Sequence, residues 1–213
     1  LMLDTPVFAS AAVAAPHRLA SEAGRAILAE GGNAIEAMVA MAATIAVLYP
    51  HLNGIGGDGF WLVHEPGGRL QGIEACGPAG TLATIERYRG KGYDILPSRG
   101  PEAALTVAGT VGGWQLALDL SRSLGGRMPL RELLLDAISH CREGYAVSDS
   151  ELRSQPHELE ALKTAPGFAA SFWNDGAPPK QGARRRPEVL GAALQQLADA
   201  GLADFYRGDV GRE

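Results

Sequence analysis

Apolar residues in the first fifty positions recur with helical spacing and are bounded by residues that start and stop helices. The segment "HRLASEAGRAILAEGG" predicts a first helix, with Ser21 as its N-cap and Gly31 and Gly32 at its end. Asn33 then predicts the start of a second helix, "AIEAMVAMAATIAVLYP", which is apolar on nearly every face and ends before Pro50. We therefore expect the second helix to be buried on all sides.

After the second helix the pattern changes from helical spacing to alternation. The stretch "FWLVHEPGGRLQGIEACG" predicts a hairpin with strands at 60–65 and 69–74, joined by a turn at 66–68. The polar stretch 78–101 predicts an irregular connector that contains one short helix at 82–89.

The second half of the chain returns to helical spacing. "VGGWQLALDLSRSLG" predicts a helix ending at Gly125, and "PLRELLLDAISHCREG" predicts one with Pro129 in its first turn and Gly144 at its end. "SDSELRSQPHELEALKTA" predicts a helix capped by Ser148 or Ser150, and "RPEVLGAALQQLADAG" predicts an amphipathic helix. This half is therefore predicted to be mostly helical.

No internal repeat divides the chain, and we expect residues 1–213 to form a single domain. A loop rich in glycine and proline is predicted at 176–187. The last residues, "DFYRGDVGRE", look like the start of another helix without a terminating signal, so we expect further chain beyond them.

Charge and hydrophobicity exclude several classes of protein. The 213 residues are 46% hydrophobic, as in a packed globular body, and 19 basic against 24 acidic residues give a net charge of −5. A nucleic-acid partner is not expected, because no basic patch is present. The apolar run after Glu36 lasts about 13 residues, short of the roughly 18 to 20 of a membrane span, so no membrane partner is expected. The N-terminus lacks a basic signal region, which favours a cytoplasmic location.

Cysteine and histidine spacing does not predict a metal or other cofactor site. Cys76 and Cys141 have neither C-x-x-C spacing nor a matching histidine pair, so reduced thiols are expected. His51 and His64 are interpreted as structural residues with hydrogen-bond partners.

Gly54, Gly56 and Gly59 in "NGIGGDGF" match the G-x-G-x-x-G spacing of dinucleotide-binding loops. Such a loop follows a strand and precedes a helix, because the pyrophosphate rests on the N-terminus of that helix. Here the predicted order is helix, loop and strand. We therefore interpret the glycines as a tight turn, with Asp58 as a turn-capping residue, and not as an NAD site.

Several segments in order resemble the γ-glutamyltransferase (γ-glutamyltranspeptidase) family. They are "GGNAIEAMVAMAATIAVLYPHLNGIGGDGFWLVHEPGG", "TVAGTVGGWQLALD", "MPLRELLLDAI", "REGYAVSD" and "FYRGDV", and together they extend over nearly all of the chain. The resemblance implies the α+β fold of N-terminal nucleophile (Ntn) hydrolases, an αββα sandwich. This chain would supply a mostly helical part of the large subunit and a β-hairpin of the central sheets.

The resemblance also implies a reaction. A proenzyme cuts itself so that a threonine becomes the first residue of a small subunit, and this threonine attacks a γ-glutamyl group or another small acyl amide. None of the threonines here lies in the family's nucleophile context, so no catalytic residue is predicted in this chain. The predicted partner is a small subunit with the N-terminal threonine, in a heterodimer or a larger assembly. The alternative is a catalytically inactive scaffold or binding protein with the same fold.

One position departs from the family pattern where the substrate binds. Members that bind a γ-glutamyl group carry a pattern like D-F-R-E-x-A-P after the second hairpin strand, and the arginine can hold the substrate carboxylate with two hydrogen bonds. This sequence has "IEACGPAGTLAT", which places Cys76 at the arginine and Gly77 at the glutamate. Cys76 and Gly77 are the predicted substrate-binding residues, and other acyl amides become plausible substrates. Cys76 is equally interpretable as a small buried hydrophobe.

Overall fold

The computed structural model describes residues 7–98, 100–173 and 176–213, and the side chains of all of these except 155–161. The elements follow in the order α1 Arg18–Ala29, α2 Ala34–Leu48, β1 Gly59–His64, β2 Leu70–Ala75, α3 Ile85–Gly90, α4 Thr110–Ser123, α5 Leu130–Glu143, β3 Tyr145–Ala146, α6 Asp149–Leu162, α7 Phe168–Phe172, β4 Arg184–Arg185, α8 Glu188–Ala200 and α9 Asp204–Arg207. A short 3-10 turn, Pro101–Ala103, precedes α4. In the part of the chain that is described, no helix is long and apolar enough to cross a membrane.

Helix α1 begins one turn earlier than the sequence predicts. His17, and not Ser21, is its N-cap, because the His17 side chain accepts a hydrogen bond from the Leu19 backbone N–H at 3.3 Å. Ser21 is consequently an interior residue of the helix. The end of the helix is as predicted, since Gly31 follows it with a φ of 90° that favours glycine.

Helix α2 begins at the predicted Asn33 cap, which is confirmed as a capping box. Asn33 Oδ1 accepts hydrogen bonds from the backbone N–H groups of Ile35 and Glu36, both at 3.0 Å. Glu36 Oε2 in turn accepts one from the Asn33 N–H at 2.7 Å. The other carboxylate oxygen of Glu36 accepts from the Met128 N–H at 2.8 Å, so this buried carboxylate has partners on both oxygens.

Helix α2 lies at the centre of the helical layer and packs against α1, α4 and α5, while α8 packs on α5. The largest fully buried side chains of this layer are Trp114, Leu48, Leu133, Leu134, Leu194 and Leu197. The prediction that α2 is buried on all sides is wrong for one stripe, where Met38 is 45% exposed and Ala42 and Ile45 are half-buried. The stripe faces an open groove beside β1.

The predicted hairpin forms as β1 and β2, which pair antiparallel from Gly59 opposite Ala75 onward. The strands are shifted by one residue from the predicted 60–65 and 69–74. The short helix predicted at 82–89 also forms, as α3, and starts three residues later than predicted.

The two faces of this hairpin have different surroundings. One face packs on α4 so closely that a Cβ added at Gly113 would lie 2.7 Å from the Ala75 Cβ. The other face is exposed, and its apolar side chains are Phe60, Leu62 and Leu70. Alternation along the strands therefore separates a packed face from an apolar open one.

The helices of the second half form as predicted, with small shifts at their starts. Pro129 is the N-cap of α5 and lies one residue outside the first turn, and Gly144 ends α5 with a φ of 81°. Ser148 rather than Ser150 caps α6, because Ser148 Oγ accepts from the Glu151 N–H at 3.2 Å. The prediction of a loop at 176–187 is partly wrong, since this segment contains β4, which pairs with β3.

Candidate functional site

The chain that follows β2 runs antiparallel to the segment that leads into α4. The Val107 N–H donates to the Pro78 carbonyl at 3.0 Å, and Ala79 forms a bridge with Thr106. A Cβ at Gly77 would lie 1.9 Å from the Val107 carbonyl oxygen, so only glycine fits at this crossing. The predicted site residue Gly77 therefore has a steric role in bringing the two segments together.

The glycine loop before β1 is fastened to the same place. The Gly57 carbonyl accepts hydrogen bonds from the N–H groups of Gly109 and Thr110 and from Thr110 Oγ1, each at 2.9 Å. Asp58 Oδ1 accepts from Thr106 Oγ1 at 3.0 Å, so its hydrogen bond reaches across to the neighbouring segment. The order of helix, loop and strand is confirmed, and the loop precedes a strand rather than the helix N-terminus that a pyrophosphate needs.

Cys76 and Gly77 line a groove of about 490 Å³ between the end of β2, the start of α4 and α9. Other residues of its wall are Pro78, Val107, Gln115, Leu116, Tyr206 and Arg207. The Cys76 thiol is half-buried, and partial burial together with the carboxylates of Asp58 and Glu74 raises its pKa. The thiol is thus protonated at neutral pH and does not have the environment of an activated nucleophile.

The groove is closed on one side by Tyr206, a residue that the sequence did not single out. Its hydroxyl donates to the Ala108 carbonyl at 2.8 Å and accepts from the Gly112 N–H at 2.9 Å. The only signal was its position in "FYRGDV", one of the segments that carry the family resemblance. Its role could not be predicted because the partners lie more than ninety residues away, with separations of 98 and 94.

A second, larger groove of about 1120 Å³ lies between α2 and β1. Its wall includes the exposed stripe of α2, the glycine loop, one edge of β1 and the residues His51 and Phe172. His51 Nε2 lies within hydrogen-bond distance of Ser150 Oγ, at 3.1 Å, and Ser150 Oγ accepts a hydrogen bond from the Tyr49 hydroxyl at 2.6 Å. The prediction that His51 has a hydrogen-bond partner is confirmed, whereas His64 lies on the exposed face of the hairpin. Burial lowers the pKa of His51, so its ring is neutral at pH 7.

Beside this groove lies a buried ion pair that the sequence did not predict. Arg185 Nη1 donates to Glu151 Oε1 at 2.6 Å, and Arg185 Nη2 donates to the Phe172 carbonyl at 2.8 Å. The guanidinium carbon is also 5.5 Å from the centre of the Phe172 ring, a cation–π distance. Arg185 belongs to the run 184–186, which as a sequence is typical of a solvated loop. The pair ties β4, α6 and α7 together.

Both cysteines are free thiols in the part of the chain that the structure describes. Cys141 packs in the helical core, where burial raises the pKa of its thiol to about 12. No group of three or more His, Cys, Asp or Glu side chains in the described part of the chain is arranged to hold a metal ion.

Comparison with solved structures identifies the class of protein, because the structural neighbours of this chain include gamma-glutamyltranspeptidases with the Ntn-hydrolase fold. The crystal structure of the Helicobacter pylori gamma-glutamyltranspeptidase superposes with a TM-score of 0.87 at 28% identity, over 98% of this chain and 59% of that one. The α+β Ntn-hydrolase fold implied by the resemblance is thereby confirmed.

Sequence comparison leads to the family itself. The gamma-glutamyltranspeptidase family model matches residues 20–213, and the chain belongs to this family. The chain is 51% identical over 197 residues to the oxamate amidohydrolase proenzyme of Klebsiella pneumoniae, covering 92% of this chain and 37% of that protein. It is 37% identical over 199 residues to the glutathione hydrolase-like YwrD proenzyme of Bacillus subtilis, covering 93% and 37%. The chain thus spans little more than a third of the length of these relatives.

Proposed function

We propose that this chain is the large-subunit portion of an amidohydrolase whose substrate is a small carboxylated amide of the oxamate class. The observation that carries the proposal is Cys76, a neutral thiol at the end of β2 where γ-glutamyl-binding members have an arginine. The identity of 51% to an oxamate amidohydrolase proenzyme, against 37% to a glutathione hydrolase-like proenzyme, supports the same substrate class.

The charges around Cys76 argue against a γ-glutamyl substrate bound in the usual way. An arginine at this position would offer two parallel N–H donors to the α-carboxylate. Here the carboxylates of Asp58 and Glu74 are close enough to contribute, after burial, to the raised pKa of the thiol. A substrate carboxylate at the same point would meet like charge, which is unfavourable. A γ-glutamyl group would therefore lose its main anchor.

In the proposed reaction, a threonine on a separate segment attacks the amide carbonyl. Its α-amino group takes the hydroxyl proton, the Oγ–acyl bond forms and the C–N bond breaks, and the leaving nitrogen departs as ammonia after gaining that proton. Water then hydrolyses the acyl-enzyme. The residues of this chain would shape the acyl pocket: the crossing of Gly77 with Val107 and the fastened glycine loop make its wall rigid.

The exposed face of the β1–β2 hairpin supports the proposed partner. Phe60, Leu62 and Leu70 form an apolar surface that a further layer would bury, as in an αββα sandwich. The small subunit with the N-terminal threonine is the proposed source of that layer.

The test uses the full-length protein that contains this chain. Mass spectrometry should find a self-cleaved product that begins with threonine, and ammonia should be released from oxamate much faster than the acyl group is released from a γ-glutamyl amide. Replacing that threonine by alanine should abolish both cleavage and ammonia release. Comparable turnover of the γ-glutamyl amide would overturn the substrate class. A protein that neither cleaves itself nor hydrolyses any amide would favour the inactive scaffold.

A further inference from the structure

Arg207 lies in the family-like segment "FYRGDV", from which no role was predicted for it, and it lines the groove beside Cys76. Among the residues described in its wall, Arg207 is the one with a charged side chain, and the rest of the wall is mainly apolar. Arg207 is the last residue of α9, 131 positions after Cys76 in the sequence (207 minus 76). A single cation on an apolar wall is the kind of polar group that fixes the orientation of a small ligand.

Arg207 is held at the groove by its neighbour in the chain. The Tyr206 hydroxyl bonds to both Ala108 and Gly112, and a Cβ at Gly112 would lie only 3.2 Å from that hydroxyl oxygen. Asp204, at the other end of α9, accepts hydrogen bonds from the backbone N–H groups that follow the helix, with Val210 at 3.0 Å. Hydrogen bonds therefore hold the short helix at both ends, and they fix the backbone position from which the Arg207 side chain extends.

The guanidinium of Arg207 is available to a ligand. In the part of the chain that is described, Arg207 has no ion pair, whereas Arg212 nearby is paired with Asp209 at 2.7 Å. Arg207 is exposed to solvent. An arginine keeps its charge at all physiological pH values and presents a planar fork of donors that matches a carboxylate.

Charge is distributed unevenly around this groove. Arg207 belongs to its wall on the α9 side, while the carboxylates of Asp58 and Glu74 lie outside the wall but close enough to contribute, after burial, to the raised pKa of the Cys76 thiol. A ligand with a carboxylate at one end and an N–H-bearing amide at the other fits this polarity in one orientation. The carboxylate is attracted to Arg207, and the amide end is directed toward Cys76.

We infer that Arg207 binds the carboxylate of the substrate and so replaces, from the α9 side of the groove, the arginine that is absent at Cys76. Arg207 is then a specificity-determining residue for short carboxylated amides. The inference rests on the proposed function, because it assigns the substrate carboxylate of that same reaction. Arg207 would favour binding of carboxylated amides over neutral amides of equal size.

The experiment measures kcat and KM of the full-length protein for oxamate and for oxamide, its neutral diamide analogue. With Arg207→Gln, KM for oxamate should rise about tenfold or more, the usual scale for losing charge-assisted hydrogen bonds, and kcat should change less than about twofold. The KM for oxamide should rise much less than the KM for oxamate, because the neutral amide forms no ion pair with Arg207. Arg207→Lys should restore part of the oxamate affinity, and Arg212→Gln is the matched control on the same segment, for which we expect no effect.

The outcomes separate this inference from the proposed function. A wild-type protein that hydrolyses neither amide would contradict the proposed function and, with it, the inference. Normal oxamate hydrolysis with the same KM in Arg207→Gln would overturn the inference alone, as would equal losses for oxamate and oxamide. Binding of oxalate, followed by the rise in melting temperature, gives a second readout that should be weakened in Arg207→Lys and preserved in Arg212→Gln.

Discussion

The helical layer and the β1–β2 hairpin are both built from apolar sequence, but they end in different surroundings. Helices α2, α4, α5 and α8 turn their apolar sides toward one another, and residues such as Leu133 and Leu194 are fully buried. On the hairpin, the inner face is packed on α4, while Leu62 on the outer face is 76% exposed. A helix with one apolar stripe buries that stripe by packing against neighbours on one side. A strand with two apolar faces needs a packed layer on each side to bury both faces.

The candidate site lies where these two regions meet. Cys76 follows the last strand residue, and the start of α4 forms part of the wall of its groove. The helical layer therefore supplies rigidity, and the open hairpin supplies the surface at which a further segment is proposed to complete the site.

The largest expected effect concerns the buried ion pair between Arg185 and Glu151. We expect Arg185→Met to lower the free energy of unfolding of the full-length protein by about 3 to 5 kcal/mol, because Glu151 would keep a buried charge without its partner. Urea unfolding measures the loss. Arg131→Gln removes an ion pair with Asp199 of similar length, 2.8 Å, but on the surface, and should change stability little. Equal losses in both variants would contradict the distinction.

Two neighbouring leucines on α5 test whether the helical core is closed. Leu134 is fully buried and Leu135 is 50% exposed. We expect Leu134→Ala to cost about 2 to 5 kcal/mol, through lost burial and a residual cavity. Leu135→Ala should cost less than about 1 kcal/mol in the same urea experiment. A large loss at Leu135 would show that this side of α5 is covered in the full-length protein.

The hairpin side is tested at the end of β2. Cys76→Arg should raise kcat/KM for a γ-glutamyl amide relative to oxamate by about tenfold, because the new guanidinium can bind the α-carboxylate. Initial rates with the two substrates measure the ratio, and Cys76→Ser, which adds no charge, is the control. An unchanged ratio in Cys76→Arg would argue that this position does not face the substrate.

The smallest effect is expected at the cap of α1. Burial, then the positive charges of His140 and Arg18, lower the pKa of His17 from 6.5, while Glu22 acts in the opposite direction. The unfolded chain therefore binds the proton more tightly, and this contribution to stability is present above pH 6.5 and is lost as the pH falls through the lowered value. His17→Asn keeps a cap acceptor without a titrating group, so its melting temperature should fall less between pH 7.5 and pH 5. An identical pH dependence in both proteins would contradict this role.

Much of the fold could be predicted because its signals are local. The Asn33 capping box, the glycine stop at Gly144 and the 66–68 turn depend on residues within a few positions of one another, and each formed. One error was also local, because the predicted N-cap of α1 was Ser21 and the observed N-cap is His17. An imidazole nitrogen can accept the capping hydrogen bond, but histidine is a less common N-cap than serine.

The candidate site was only half predictable. Cys76 and Gly77 were singled out by comparison with the family pattern, and both line a groove. Tyr206 and Arg207, on the other wall of that groove, carry no local signal of their position there. Arg185 was missed for the same reason, since its partner Glu151 is 34 residues away.

The sequence by itself determined which segments become helices and strands, where most of them stop, and which family the chain resembles. Spacing and capping act between near neighbours, so they are visible without coordinates. Tertiary structure alone decided that Arg207 faces the groove of Cys76, that Arg185 is buried against Glu151, and that one stripe of α2 stays open. Those outcomes depend on how distant segments pack, and packing energies arise from contacts that linear spacing does not specify.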